Sequence, residues 1–370
     1  MKLRLFLLLA GLFALPAARA EEHHPTLALG NPAPDFSLPG VDGRNWSLKD
    51  FAQARVLVVI FTAVHCPTAQ HYEERIKRIA ADYSGKGAAV VAIMPNDPQA
   101  LRPDELGWSD LSDSFPEMKI RAEEHHFNFP YLYDGDAQAV AHAYGPVATP
   151  HAFVFDAARK LRYAGGVDDS ERPDHATRHY LRDAIEAVLE GKYPPMALTK
   201  VIGCSTKWSE KRGQVKAFLD KLDAEPVALS RADTNALQSL RRNDSGKLSL
   251  VNFWATWCAP CLVEFDGLVS VSRIYRPRDL EFVSVSLNSP DEEKRVLEFL
   301  TRKHASNRNL LFGSNDRESL INAFNPAWQG EVPYTVLLGP GGEVLYSETG
   351  SVDFLALKRA ILKAASDLGR

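Results

Sequence analysis

Beyond its first twenty residues the chain has no apolar run that could cross a bilayer, which takes about 20 consecutive residues, so it is not expected to be an integral membrane protein. It also has no basic surplus. Lys and Arg number 43 against 47 Asp and Glu, a formal net charge of -4, so nucleic acid is not an expected partner: nothing is spare to neutralise phosphates. Cysteine is scarce, with four in 370 residues. Two of them, Cys258 and Cys261, form a C-x-x-C. No second cysteine pair or histidine-rich partner stands at metal-ligand spacing from it, which argues against a zinc site. Neither a metal nor an organic cofactor is expected.

What is present begins with an address. Lys2 and Arg4 precede the apolar stretch Leu5 to Leu15, and Ala18-Arg19-Ala20 offers a small-x-small cleavage site, the pattern of a secretory signal peptide over residues 1–20. Its removal takes away three basic residues and leaves a more acidic chain. The protein is therefore expected to be exported to a periplasmic or extracytoplasmic space, where disulfides persist. Hydrophobic residues at 45% and charged ones at 24% are ordinary for globular protein, and the length calls for two domains.

The chemistry concentrates between Leu248 and Glu264. An apolar strand, Leu248 to Trp254, runs into a short turn, and Cys258 and Cys261 stand where a helix should start. The first N–H groups of a helix have no intrahelical partner and its dipole favours negative charge, so a thiolate at Cys258 is stabilised. Cys261 lies one turn on, on the same face, placed to close a disulfide with it or to resolve a mixed one. Pro260 is tolerated because the first turn needs no N–H from it.

The first half carries a similar order of elements. Val56 to Phe61 is a buried strand ahead of Cys66; a helix spans Ala69 to Tyr83; Ala88 to Met94 is a strand; and Thr149-Pro150 precedes the strand His151 to Phe155. Phe61, Ala63 and Cys66 align with Phe253, Ala255 and Cys258 at one constant offset, and Pro150 and Tyr163 with Pro333 and Tyr346 at a smaller one. An internal duplication explains this, the extra residues of the first copy falling within Pro95 to Pro116, a polar stretch expected as an insertion at a sheet end rather than core. Lys207 to Asp223 is expected as a surface helix or linker.

The run Val251-Asn252-Phe253-Trp254-Ala255-Thr256-Trp257-Cys258-Ala259-Pro260-Cys261, with Glu264 and Val332-Pro333, resembles the thioredoxin superfamily, specifically the exported TlpA/ResA-like thiol-disulfide oxidoreductases. The resemblance implies an α/β fold of two tandem thioredoxin-like domains, each a mixed central β-sheet flanked by helices. It assigns residues 28–195 to a single-cysteine, peroxiredoxin-like redoxin domain, 196–225 to a linker containing Cys204, and 226–370 to a TlpA-like domain. It implies roles as well: Cys258 as nucleophile, Cys261 as resolving thiol, Trp257 flanking the sulfur, Pro333 as the cis-proline beside which an extended substrate pairs, and Glu264 as the helix glutamate of this branch. The implied function is an exported enzyme whose dithiol exchanges with protein thiols and disulfides, as reductant, with a membrane thiol carrier as electron donor. Two residues depart from the pattern. Asn252 replaces the buried aspartate of thioredoxin itself, and Asp266 replaces a helix-kinking proline.

The first half resembles the redoxin group through Pro34-Asp35-Phe36-Ser37-Leu38, the strand to Cys66, and Thr149-Pro150. Ala69 stands where a C-x-x-C would have its second cysteine, and Ala63 and Val59 replace the threonine and proline of a peroxiredoxin. Ile202-Gly203-Cys204-Ser205-Thr206-Lys207-Trp208 is similar to an element that ends some peroxiredoxin-like domains. Cys66, Cys204 and Pro150 are thereby candidates for a second redox site. Two alternatives follow: a peroxidase in which Cys66 reduces peroxide, Cys204 resolves and the C-terminal dithiol recycles the pair; or an N-terminal module that binds copper, through Cys66 with His65 or His71, or a thiol protein.

Overall fold

The computed structural model describes residues 24–369; the expected signal peptide and His23 lie outside the described residues. Two sheets organise the chain, one in each half. In the first, Val56–Phe61 is the central strand, parallel to Ala88–Met94, which is in turn parallel to Tyr131–Tyr133 at one edge. Its other neighbour, His151–Phe155, runs antiparallel and pairs with the edge strand Leu161–Gly165. The central strand reads V-L-V-V-I-F because both of its faces are covered. Val56, Val58 and Ile60 enter the core under the helix Pro67–Ser84, whereas Leu57, Val59 and Phe61 point into the opposite core with Tyr144 and Phe153.

The second sheet repeats that order with one more strand. Leu248–Trp254 lies parallel to Leu280–Ser286 and antiparallel to Tyr334–Leu338; Arg308–Phe312 and Ser230–Ala232 extend one side, and Val344–Thr349 the other. Each half is thus a mixed sheet flanked by helices, the tandem thioredoxin-like architecture expected from the sequence. Among the described residues no helix is long and apolar enough to cross a membrane.

Two stretches differ from expectation. Pro95 to Pro116 is not a solvated insertion: Asn96, Asp97, Ala100, Leu101, Leu111 and Asp113 are all buried. The stretch folds into short 3-10 turns at Pro98–Ala100 and Pro103–Leu106, and Phe115–Glu124 then forms a helix that the sequence did not announce. Polar residues are buried there because they bond to one another and to the chain around Cys66. The 196–225 segment is likewise docked on the first half before its helix Arg212–Asp223 begins; Thr206, Lys207 and Trp208 are buried.

Pro95 to Pro116 also joins the two halves. The buried Tyr275 hydroxyl donates to the Ser109 carbonyl at 2.8 Å, Arg278 donates to the Gly107 carbonyl at 3.1 Å, and Arg359 reaches Asp110 at 2.8 Å and Glu124 at 2.6 Å. The charged pair is half-exposed and contributes little, about 1 kcal/mol or less. The Tyr275 bond is sheltered, and its loss strands a buried carbonyl. Tyr275→Phe is expected to lower stability by about 1–3 kcal/mol in denaturant unfolding, and Arg359→Ala to have a smaller effect.

Candidate functional site

The C-terminal constellation forms at one end of the second sheet. Leu248–Trp254 is buried along its whole length and delivers the chain to the turn, where the Thr256 N–H donates to Asn288 Oδ1 at 2.9 Å. Cys258 is the N-cap of the helix Ala259–Tyr275, and its sulfur accepts the Cys261 N–H at 3.3 Å. Pro260 occupies the first turn. Cys258 and Cys261 are joined as a disulfide, with Cα atoms 5.3 Å apart. Trp257 is 51% exposed beside a nearly buried Cys258, at 5%. The Val332–Pro333 peptide is cis, and the pairing of Phe253 with Tyr334 places Pro333 level with Trp254, at the cysteine end of the sheet. Cys258, Cys261, Trp257, Pro260 and Pro333 are therefore gathered at one end.

Glu264 lies one turn beyond Cys261 and is buried. Its Oε2 accepts the Val352 N–H at 3.1 Å, while Oε1 meets the Asn252 side-chain amide at 3.4 Å. Burial pushes its carboxyl pKa above the ordinary value, against the pull of those two bonds. Asn252 also donates to Thr335 at 2.9 Å. Its own Oδ1 has no hydrogen-bond partner among the described residues.

The N-terminal site is built on the same plan with different parts. Cys66 caps the helix Pro67–Ser84 and accepts the Ala69 N–H at 3.4 Å. The Thr149–Pro150 peptide is cis. Ala148–Thr149 pairs antiparallel with Cys204–Ser205, Thr149 opposite Cys204. The Cys204 N–H donates to the Cys66 sulfur at 3.4 Å, and the Cys66 thiol contacts the Thr149 carbonyl at 3.4 Å. Cys66, Cys204 and Pro150 are thus brought together, with both thiols free; Cys66 is wholly buried and Cys204 partly exposed. A hydrogen bond from the Cys204 thiol, helped by the Ala69 N–H and the charge of His65, brings the Cys66 pKa down to about 6 against the effect of burial. Cys204, as donor beside that thiolate, is pushed up.

His65 stands next to this sulfur, its Nδ1 2.6 Å from Asp113 Oδ2. Burial alone would lower the His65 pKa, but the Asp113 carboxylate outweighs it and raises it; the same pairing holds Asp113 below the usual carboxylate range despite complete burial. Asp113 also accepts the backbone N–H groups of Val64 and His65, both at 2.9 Å, and the Asn96 amide at 2.8 Å. Sequence reasoning missed Asp113 and Asn96. They are two polar residues in a turn-rich stretch distant from Cys66, and no local pattern marks them.

His65 uses Nδ1 on Asp113, and His71 lies on the exposed face of its helix. Among the described residues, the potential metal ligands His24, His142 and Glu210 converge, with ligand atoms within 4.8 Å of one another. His24 and His142 already meet Nδ1 to Nδ1 at 3.2 Å and stack on Trp208, which accounts for their positions without an ion.

Residues 29–164 match the AhpC/TSA family. The chain is similar to the thiol:disulfide interchange protein CycY of Rhizobium leguminosarum bv. viciae, 30% identical over 142 residues, which is 38% of this chain and 70% of that protein. It is also similar to the thiol-disulfide oxidoreductase ResA of Bacillus subtilis, 27% identical over 120 residues, or 32% of this chain and 63% of that one. Among solved structures, a hypothetical protein from Sinorhizobium meliloti 1021 shares 36% identity over 50% of this chain and 97% of that one, with a TM-score of 0.43.

Two titrations test the electrostatics. Because the Glu264 pKa is raised, the folded state favours the neutral carboxyl. That contribution is complete below the ordinary carboxyl pKa and is lost as pH rises through the raised one. Glu264→Gln stays neutral, so its stability relative to the wild type is expected to grow as pH rises from the acid side and then level off. In the reduced protein, the ultraviolet thiolate absorbance of Cys66 is expected to rise with a midpoint near pH 6, as its lowered pKa of about 6 requires, and to move upward in Cys204→Ala.

Proposed function

Since the chain belongs to the thioredoxin superfamily and is a TlpA/ResA-like thiol-disulfide oxidoreductase, we propose that it is exported and reduces protein disulfides through Cys258 and Cys261. The observation that carries this is the Cys258–Cys261 disulfide at a helix N-terminus, beneath an exposed Trp257 and level with the cis Val332–Pro333 peptide. In the reduced form the Cys258 thiolate, stabilised by the helix N–H groups, attacks one sulfur of a substrate disulfide and expels the other as a thiolate. Cys261 then attacks Cys258 in the mixed disulfide, releasing the second substrate thiol and restoring the Cys258–Cys261 bond.

An extended substrate segment lies along the backbone before Pro333, with Trp257 against its side chains. Glu264, on the same helical face one turn past Cys261, takes the proton that Cys261 gives up. Its raised pKa brings it closer to the range useful for that exchange, and Asn252 has no ionisable group to offer in its place. The pair is reset by a membrane thiol carrier.

Peroxide as a substrate of Cys66 is a weaker reading. The sulfur is covered by the Cys204 strand, and Ala63 and Val59 stand where a peroxiredoxin carries its threonine and proline.

The test is reduction of insulin disulfides by the full chain supplied with a dithiol reductant. Cys258→Ala is expected to lose activity by on the order of 10²-fold or more. Cys261→Ala should instead accumulate a mixed disulfide between Cys258 and insulin, visible on non-reducing gels. Unchanged turnover in both variants would remove the assignment.

A further inference from the structure

In the N-terminal half, the place beside the cis-proline where a thioredoxin-like site would receive an extended chain is filled by the protein's own strand. Cys204–Ser205 pairs with Ala148–Thr149 and sets Cys204 opposite Thr149, the residue before Pro150. The approach is so close that a Cβ on Gly203 would lie 2.0 Å from the Thr149 carbonyl oxygen, so only glycine fits there.

The strand is also anchored on its C-terminal side. Thr206 donates from its hydroxyl to the Pro146 carbonyl at 2.7 Å, the Lys207 N–H donates to Asn96 at 2.8 Å, and the Lys207 ammonium meets Glu105 at 2.6 Å. Gln138 donates from its side-chain amide to the Lys207 carbonyl at 2.9 Å and accepts the Ser209 N–H at 2.8 Å. Nearly all of these partners are buried, so Cys204 is held in place rather than carried on a loose linker.

The two sulfurs differ in access. Cys66 is 0% exposed, covered by the strand that brings Cys204, and Cys204 is partly open to solvent. A disulfide arriving from outside meets Cys204 first.

We propose that Cys66 and Cys204 form a second dithiol–disulfide couple, in which Cys204 is the sulfur that exchanges with an external disulfide and Cys66 is the buried sulfur that resolves the product. This inverts the order expected from sequence, where Cys66 attacks and Cys204 resolves.

The steps balance. The Cys204 thiol gives its proton to solvent and, as thiolate, attacks one sulfur of the external disulfide, forming a mixed disulfide and expelling a thiolate. That thiolate takes a proton from solvent and departs as a thiol, while Cys66 stays a thiolate. Cys66 then attacks the Cys204 sulfur, the mixed bond breaks, and the second external sulfur leaves as a thiolate. Two electrons pass from the Cys66/Cys204 pair to the external disulfide. In reverse, an external dithiol attacks the sulfur of the partly exposed Cys204 and Cys66 departs, a good leaving group because its thiolate is stabilised. The same stabilisation favours the reduced pair, so the couple is the more oxidising for it.

The experiment uses the full chain carrying Cys258→Ser and Cys261→Ser, which makes its outcome independent of the C-terminal assignment, with glutathione disulfide as the probe and peptide mapping as the readout. The parent should lose two thiols and form a Cys66–Cys204 link without a lasting adduct. Adding Cys66→Ser should leave one glutathione on Cys204. Adding Cys204→Ser should leave Cys66 at least ~10-fold slower to react than Cys204, because thiol exchange requires access. Adding Gly203→Ala to that last variant should lift the strand and speed glutathionylation of Cys66. A Cys66 adduct in the Cys204→Ser variant forming as fast as the Cys204 adduct in Cys66→Ser would overturn the order of attack. Failure of the parent to form the internal link would overturn the couple, and no acceleration by Gly203→Ala would overturn the strand as its cover.

Discussion

Both halves of this protein depend on a sulfur placed at the N-cap of a long helix. A free helix N-terminus holds unpaired N–H groups and the positive end of the dipole, and a cysteine there turns both into stabilisation of a thiolate. Cys258 takes the Cys261 N–H and Cys66 takes the Ala69 N–H, each at the residue three positions on. The central strands Val56–Phe61 and Leu248–Trp254, buried throughout, fix where those helices begin. The cis-prolines lie at the same ends of the sheets, because each immediately precedes the antiparallel neighbour of its central strand.

From this shared plan the halves diverge by one position. At 261 the residue whose N–H caps the sulfur also carries a sulfur, so the redox pair is local and lies within one helical turn. At 69 that residue is alanine, and the partner thiol comes instead from Cys204, far along the chain. A strand register and a buried polar network then do what a single helical turn does in the other half. The polar residues of Pro95 to Pro116 are part of that network: Asp113 fixes His65 beside Cys66, and Asn96 holds both Asp113 and Lys207. The same stretch, through Gly107, Ser109 and Asp110, touches Tyr275 and Arg278 at and just beyond the far end of the helix Ala259–Tyr275, and the last helix, Phe354–Asp367. One polar segment therefore supports the Cys66 site and ties the two halves together.

Much of the fold was legible because its signals are local. Continuous apolar runs marked the central strands, Pro260 and the two cysteines marked a helix start, and the constant offset between Phe61, Cys66 and Phe253, Cys258 exposed the repeated architecture. The C-terminal residues that sequence singled out do converge at one sheet end. What could not be read depends on contacts between distant polar residues. His65 and Asp113 meet across 48 positions, and Lys207 reaches Asn96 across 111. Neither pairing leaves a periodicity, and burial of Asn96, Asp97 and Asp113 contradicts the rule that a turn-rich polar stretch is solvated. Such groups are buried only where every hydrogen bond is met by a partner from elsewhere, which is a property of the folded chain.

The two sites also differ in what can reach them, and this follows from the strand pairing more than from the cysteines. In the C-terminal half, Trp257 is exposed over Cys258 and the residues just before Pro333 pair with no strand among the described residues. Backbone there is available to an extended polypeptide, the geometry that a protein disulfide requires. In the N-terminal half the equivalent backbone, Ala148–Thr149, is already paired, and Gly203 removes the side chain that would hold the strand away. An extended polypeptide can lie there only by displacing Cys204–Ser205 and breaking the anchors of Thr206 and Lys207. With the strand in place, access is limited to whatever approaches the exposed edge of Cys204. One fold thus presents an open groove in one half and a self-occupied groove in the other, and the sequence difference that decides between them is a glycine and a cysteine in a segment outside either sheet.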